Sequence, residues 1–176
     1  YSTDIVSHSA EKAVVKVKAH VAPPFYPSPG DYHCGIECEY LYTFFKSGEI
    51  LLECSGEITE NMPHLPRIGI QMQIPSDMEF VKWYGHGPGE CYSDSIQANP
   101  VGLYSNTVDG LYTPYIYPQE NGNREAVRHV SFCDLKGTGF RVEGLPLLNF
   151  SAHYFTTKDV EEAMHTYDLP RRDSIT

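Results

Sequence analysis

Two polar, aromatic stretches hold the residues best suited to chemistry. In "WYGHGPGECY", Trp83 to Tyr92, an imidazole, a carboxylate and a phenol (His86, Glu90 and Tyr92) share one glycine- and proline-rich loop. In "YTPYIYPQENGNRE", Tyr112 to Glu125, phenols and prolines lead into Glu120, Asn121 and Arg124. Hydroxyl, carboxylate, amide and guanidinium groups beside aromatic faces suit the rim of a polar groove, where polar groups fix a ligand's orientation and apolar faces supply contact. His86, Glu90, Tyr92, Tyr115, Tyr117, Glu120, Asn121 and Arg124 are therefore candidate substrate-rim residues. The same stretches have a structural reading, in which Tyr-Pro segments brace a loop and the turn at 119–122 satisfies buried backbone groups. Trp83, the only tryptophan, is read as a core plug in preference to the alternative of an exposed ring on which a ligand stacks. It shares strand parity with Val81, and the glycines beside it leave space that an indole fills.

Other chemistries find less support. "HCGIEC" places His33, Cys34 and Cys38 together, with Cys54 further on. Cys34 and Cys38 lie four apart on a predicted strand, about 13 Å along it, and no CxxC pair exists to hold zinc. Cys38 and Cys54 are expected as buried free thiols on apolar strand faces. His20, His86, His129, His153 and His165 form neither HxH nor HExxH. No catalytic residue, metal ligand or cofactor is assigned within this segment.

The elements that must position these groups are mostly strands. Ala13, Val15, Val17, Ala19 and Val21 alternate with polar residues, the pattern of a half-buried strand. "GIECEYLYTFF" and "EILLECSGEIT" alternate likewise across Lys46-Ser47-Gly48 and predict a hairpin. "RIGIQMQI", with Ile68, Ile70, Met72 and Ile74 on one face, predicts a strand paired with "EFVKWYG". Residues 85–123 read as long loops with short strands. "HVSFCDL" and "FRVEG" predict a hairpin, and "LNFSAHYF" a further strand. One helix is expected near Lys158–Tyr167, capped by Thr156 with Asp159 three residues on. The expected fold is all-β, a largely antiparallel sandwich over residues 1–176 as one domain, with one short helix near the C-terminus.

The chain has 176 residues and a formal net charge of -10, long enough for one buried core. Its longest basic run is Arg171-Arg172, so no nucleic-acid surface is expected. No apolar run approaches the roughly 20 residues of a membrane span. Five cysteines, an odd number, point to a reducing compartment. A cytoplasmic location is expected, with the periplasmic or secreted alternative open because Tyr1-Ser2-Thr3 reads as a cut through a longer chain.

Four ordered motifs carry a family resemblance. "LPRIGIQMQIP", "VKWYGHGPGECYSD", "YTPYIYPQENGNREAVR" and "FSAHYFTTKDVEEAMHTYDLPRRD" resemble the C-terminal domain of bacterial β-galactosidases of glycoside hydrolase family 2. The match runs from about Leu65 to Asp173. The chain departs from that pattern at Cys91, where relatives carry Asn, and at Ser95, where they carry Arg. The resemblance implies an antiparallel β-supersandwich similar to galactose mutarotases. It also implies a host enzyme that hydrolyses terminal β-D-galactosides with retention, through two glutamates roughly 5 Å apart on a TIM barrel earlier in the chain. A later motif whose Trp contacts sugar in relatives would follow Thr176. The implied partners are the remaining domains of the enzyme, its β-galactoside substrate and a further copy in a homo-oligomer. The intact enzyme leaves room for a divalent or monovalent cation. Two other classes remain open: a mutarotase-like epimerase using His129 with Glu143 or His86 with Glu120, and a non-catalytic carbohydrate-binding module.

Overall fold

The computed structural model describes residues 1–22, 35–59, 62, 64, 65 and 67–176. His33 and Cys34 of the zinc reading lie outside them. The described residues fall into two compact units, Tyr1–Gly69 and Ile70–Thr176. The all-β, antiparallel class expected from the alternation holds in both.

The first unit is a four-stranded antiparallel meander of β1 (Ser2–His8), β2 (Lys12–Val21), β3 (Ile36–Phe45) and β4 (Ile50–Ile58). Period-two patterning sets its register. Val15 faces Ile5 on one side and Tyr42 on the other, and Tyr42 faces Leu52, so apolar residues stack on one face. Lys16 on the opposite face reaches Glu39 at 2.8 Å. The expected β3–β4 hairpin is present, closed by Phe45 N–H to the Glu49 carbonyl at 2.9 Å. Strand β1 was not foreseen, because "STDIVSH" lacks clean alternation. Cys54 is exposed rather than buried, since its face of β4 is open within this sheet.

The second unit holds the core. Its main sheet runs in the order β7-β6-β8-β9, with β6 at Phe80–His86, β7 at Val101–Thr107, β8 at Arg124–Cys133 and β9 at Gly139–Phe150. Val81 and Trp83 point inward from β6 and join Val127, Val130, Phe132, Leu111, Tyr154 and Ile175 in one cluster. Lys82 and Tyr84 point outward. In β8 the buried positions run Phe132 and Val130, then skip to Val127 and Arg124. Two register shifts, one on each side of Val127, cause the skip; Ala126 sits at φ +51° and its N–H is held by Asn149 Oδ1 at 2.9 Å. The first turns Val127 inward in place of Arg128, and the second returns Arg124 to the parity of Phe132 and Val130, with its guanidinium in the interior.

Three expectations are corrected. Arg67–Gln73 forms no strand, and only β5 (Ile74–Pro75) pairs, with β10 (Ser174–Ile175) rather than with β6. Alternation states which face is apolar, but a strand needs a ladder partner, and β6 is already flanked by β7 and β8. The segment 151–155 is likewise outside a strand; β9 ends at Phe150, and His153 exchanges two backbone hydrogen bonds with Thr176, at 3.0 and 2.8 Å.

The helices also differ from expectation. A single-turn α1 (Val108–Leu111), capped by Thr107, was missed, and α2 spans Thr157–Glu162 only. Thr156 and Asp159 form the expected capping box. The helix stops early because the Asp168 carboxylate accepts the N–H groups of Met164 and His165, at 3.2 and 2.9 Å, starting a separate 3-10 turn at Thr166–Asp168.

Arg172 grips Asp159 with two charge-assisted hydrogen bonds of 2.6 and 2.5 Å. This contact, reinforced by the Thr156 groups, holds the Asp159 carboxyl well below the usual carboxylate range. A carboxyl depressed on folding adds stability that is complete above its unfolded pKa, about 4. That stability is lost as pH falls toward the folded value. Chemical denaturation at a series of acidic pH values should therefore show the midpoint dropping below about pH 4. Arg172→Gln should flatten that drop, and an identical acid profile in the variant would refute the assignment.

Candidate functional site

The two stretches that opened the sequence reading meet in the second unit, on loops at the end of β6 and ahead of β8. Glu90 is the centre of the meeting. Its Oε1 accepts a hydrogen bond from the Tyr115 hydroxyl, and its Oε2 accepts the Gly122 N–H at 2.9 Å. Burial alone would raise its pKa. The Tyr115, Gly122 and Thr113 donors with the nearby Arg124 charge outweigh that and hold the carboxyl below its ordinary value. Glu90 is therefore a carboxylate engaged within its own loops. Tyr115 in turn has its phenol pushed upward, first by that hydrogen bond to Glu90.

Arg124 lies behind Glu90 and is 2% exposed. Its Nη1 donates to the Gly122 carbonyl at 2.7 Å and the Leu111 carbonyl at 3.5 Å, and its Nη2 to the Pro88 carbonyl at 3.1 Å. Its guanidinium carbon stands 5.4 Å from the centre of the Trp83 ring. A planar fork with several donors can tie three chain segments at once, which an ammonium cannot. Gly122 is needed at its position: its φ is +74°, and a Cβ would stand 2.9 Å from both the His153 ring and the Leu111 carbonyl.

The remaining candidates take varied places. Tyr92 is half-buried, and burial first, then Glu90 and Glu120, pushes its phenol up to about 12. Asn121 is buried; its Oδ1 accepts the Thr113 N–H at 3.1 Å and its carbonyl accepts from His153 Nε2 at 3.0 Å. His86 stands apart, its Nδ1 2.5 Å from the Asn99 carbonyl. Tyr117 is exposed, its hydroxyl donating to the Met164 sulfur at 3.7 Å. Glu120 is exposed. The structure thus brings together Glu90, Tyr92, Tyr115, Glu120 and Arg124, and separates His86 and Tyr117 from them.

Groups that sequence reading passed over include Thr113, the Gly122 N–H, Asn99 and Asn123. Glu90 and Gly122 are 32 residues apart, and no local pattern links them. Trp83 has no exposure, and its indole donates to the His86 carbonyl at 2.9 Å. This is the plug expected. The two epimerase pairings form no acid–base couple: Glu143 sits in register with His129 but pairs with Arg141 at 2.6 Å on an exposed face, and His86 is turned to Asn99.

Two hollows lie elsewhere in this unit and contain none of the eight rim candidates. One, of about 240 Å³, is lined by Ser76, Glu79, Tyr154, Arg171, Arg172 and Asp173. The other, of about 140 Å³, includes Tyr112, His153 and Phe155. Arg171 and Tyr154 line both, with Arg171 stacked 3.6 Å over the Tyr154 ring and bonded to Asp109 at 2.7 Å. Among the described residues no group of three or more His, Cys, Asp or Glu side chains could hold a metal ion.

An antiparallel β segment whose polar loops are braced inward is the class of protein the geometry defines. The chain belongs to the β-galactosidase small chain family, whose model matches residues 2–176. It is 34% identical to a β-galactosidase of Priestia megaterium over 79% of this chain, and 28% identical to one of Halalkalibacterium halodurans over 97%. A Vibrio cholerae β-galactosidase is 33% identical over 78%. The chain spans only 13% of the first and third of these relatives and 17% of the second.

Proposed function

We propose that this chain is the C-terminal β segment of an enzyme that hydrolyses terminal non-reducing β-D-galactose residues of β-D-galactosides with retention of configuration. The observation that carries the reading is the family match along nearly the whole chain. Retaining hydrolysis uses one carboxylic acid to protonate the leaving oxygen and one carboxylate as nucleophile, about 5 Å away. The central carboxylate of this segment, Glu90, is instead held ionised between Tyr115 and Gly122. A depressed pKa does not suit proton donation, and with one oxygen held by Tyr115 and the other by the Gly122 N–H the carboxylate is engaged rather than poised to attack. In this reading the catalytic glutamates belong to the barrel domain. The Glu90–Arg124 brace keeps the loops of this segment in one shape for contact with that domain and for the margin of the substrate site.

The 176-residue chain alone is expected to hydrolyse no chromogenic β-galactoside above background. The full-length polypeptide that contains it should do so, releasing β-galactose first. Turnover by the isolated chain that disappeared in Glu90→Gln would defeat the reading.

A further inference from the structure

His153 touches the loop that carries the Glu90–Arg124 brace, and only one of its ring nitrogens is satisfied. Nε2 lies 3.0 Å from the Asn121 carbonyl, so it carries the proton and donates. Nδ1 is then an unprotonated acceptor, buried and without a hydrogen-bond partner among the described residues. Three neighbours fix the ring. It stacks on Phe155 at 4.7 Å between ring centres and meets the Tyr112 ring edge-on at 6.4 Å. Gly122 lies so close that a Cβ there would stand 2.9 Å from the imidazole.

A second proton would need an acceptor at Nδ1, and the charged groups nearby are already engaged. Arg124, bonded to the same loop through the Gly122 carbonyl, adds like charge. In the hollow that His153 lines, the Asp109 carboxylate is bonded to Arg171 at 2.7 Å, and the other titratable groups are the phenols of Tyr112 and Tyr154. Glu90 is held by Tyr115 and the Gly122 N–H, and Glu120 is exposed. Burial pushes the imidazole below its ordinary 6.5; the Asn121 carbonyl opposes that shift and the Arg124 charge adds to it.

We propose that His153 is a proton-sensitive latch on the rim loops: neutral, it pins the Asn121–Gly122 turn against the Glu90–Arg124 brace, and protonated, it releases that turn. The coupling runs through two residues. Asn121 receives the imidazole N–H, and Gly122 gives its N–H to Glu90 and its carbonyl to Arg124. The turn that His153 pins therefore carries both ends of the brace. An imidazolium must bring both N–H groups to acceptors, so Nδ1–H has to reach water, which moves the ring off Asn121 and Gly122. A histidine whose folded pKa is lowered leaves stability complete above about 6.5 and withdraws it as pH falls toward the folded value. The turn is thus closed at neutral pH and opens in mild acid, where the depressed carboxyls of Glu90 and Asp159 are still ionised. The latch belongs to this fold and does not depend on the galactosidase reading.

The test is hydrogen exchange of the full-length polypeptide containing this segment, read by mass spectrometry from about pH 5 to about pH 8. Exchange of the ring C2 hydrogen reports the titration of His153 itself, whose midpoint should lie below 6.5. Amide exchange over residues 111–124, corrected for the intrinsic effect of pH, should quicken severalfold from about pH 7.5 to about pH 5.5. The β8–β9 hairpin should change much less. His153→Gln, whose uncharged amide can still donate to the Asn121 carbonyl, should abolish the difference between loop and hairpin. A His153 midpoint at or above 6.5, loop exchange that tracks the hairpin, or the same acid response in His153→Gln would overturn the proposal. Should the Gln variant exchange freely at both pH values, the two wild-type measurements decide.

Discussion

Replacing Arg124 by alanine is expected to lower the unfolding free energy by about 3–5 kcal/mol, since it takes a charged donor from three carbonyls and a buried group left unsatisfied costs about 1–3 kcal/mol. The loss has three sources. The carbonyls of Gly122, Leu111 and Pro88 lose their donors, the Trp83 face loses its cation, and Glu90 loses the charge that offsets its burial. Arg124→Lys should recover only part of it, since one ammonium cannot reach three carbonyls in a planar fork. Urea unfolding followed by Trp83 fluorescence and by far-ultraviolet circular dichroism measures both variants. A loss below about 1 kcal/mol for Arg124→Ala would place it with surface substitutions and refute the bracing role.

Trp83→Ala is the second large effect, about 3–5 kcal/mol for a deleted buried aromatic. The indole has no exposure, packs 5.5 Å from Tyr104 and 6.0 Å from Phe150 between ring centres, and satisfies the His86 carbonyl. Gly87 shows how closely the loop lies over it: a Cβ there would be 3.1 Å from the indole and 2.7 Å from Tyr104. Galactose should leave the fluorescence of the wild-type chain unchanged, because no ring face is open to it. A nearly unchanged melting temperature in Trp83→Ala, together with saturable quenching by galactose, would make the ring a sugar platform instead.

The inward parity of Val81 and Trp83, the β3–β4 and β8–β9 hairpins and the Thr156–Asp159 capping box were all readable from residue order. Each depends on neighbours a few positions apart, through side-chain alternation, turn chemistry or a cap. Family membership was readable as well, because four motifs occur in order along one chain. The rim candidates were recognised as residues that could converge, but not which of them would. His86 and Tyr117 carry the same chemistry as their neighbours and still bond elsewhere.

What residue order left open depends on long-range pairing. Arg67–Gln73 alternates as well as any strand here, yet β6 already has a neighbour on each side. Ser151 to Phe155 alternates too, yet it forms no continuous ladder: His153 exchanges bonds with Thr176, and the Tyr154 carbonyl accepts the Arg172 N–H. The position of Val127 is the clearest case. Uninterrupted alternation back from Phe132 and Val130 would bury Arg128, Ala126 and Arg124; two register shifts, one on each side of Val127, bury Val127 in place of Arg128 and Ala126 and return Arg124 to the inward face. Periodicity acts over a few residues and prescribes faces. Which strands meet, where a register slips and which carboxylate receives a buried cation are settled by packing among segments distant in sequence, where a buried charge persists only with its hydrogen-bond partners in place.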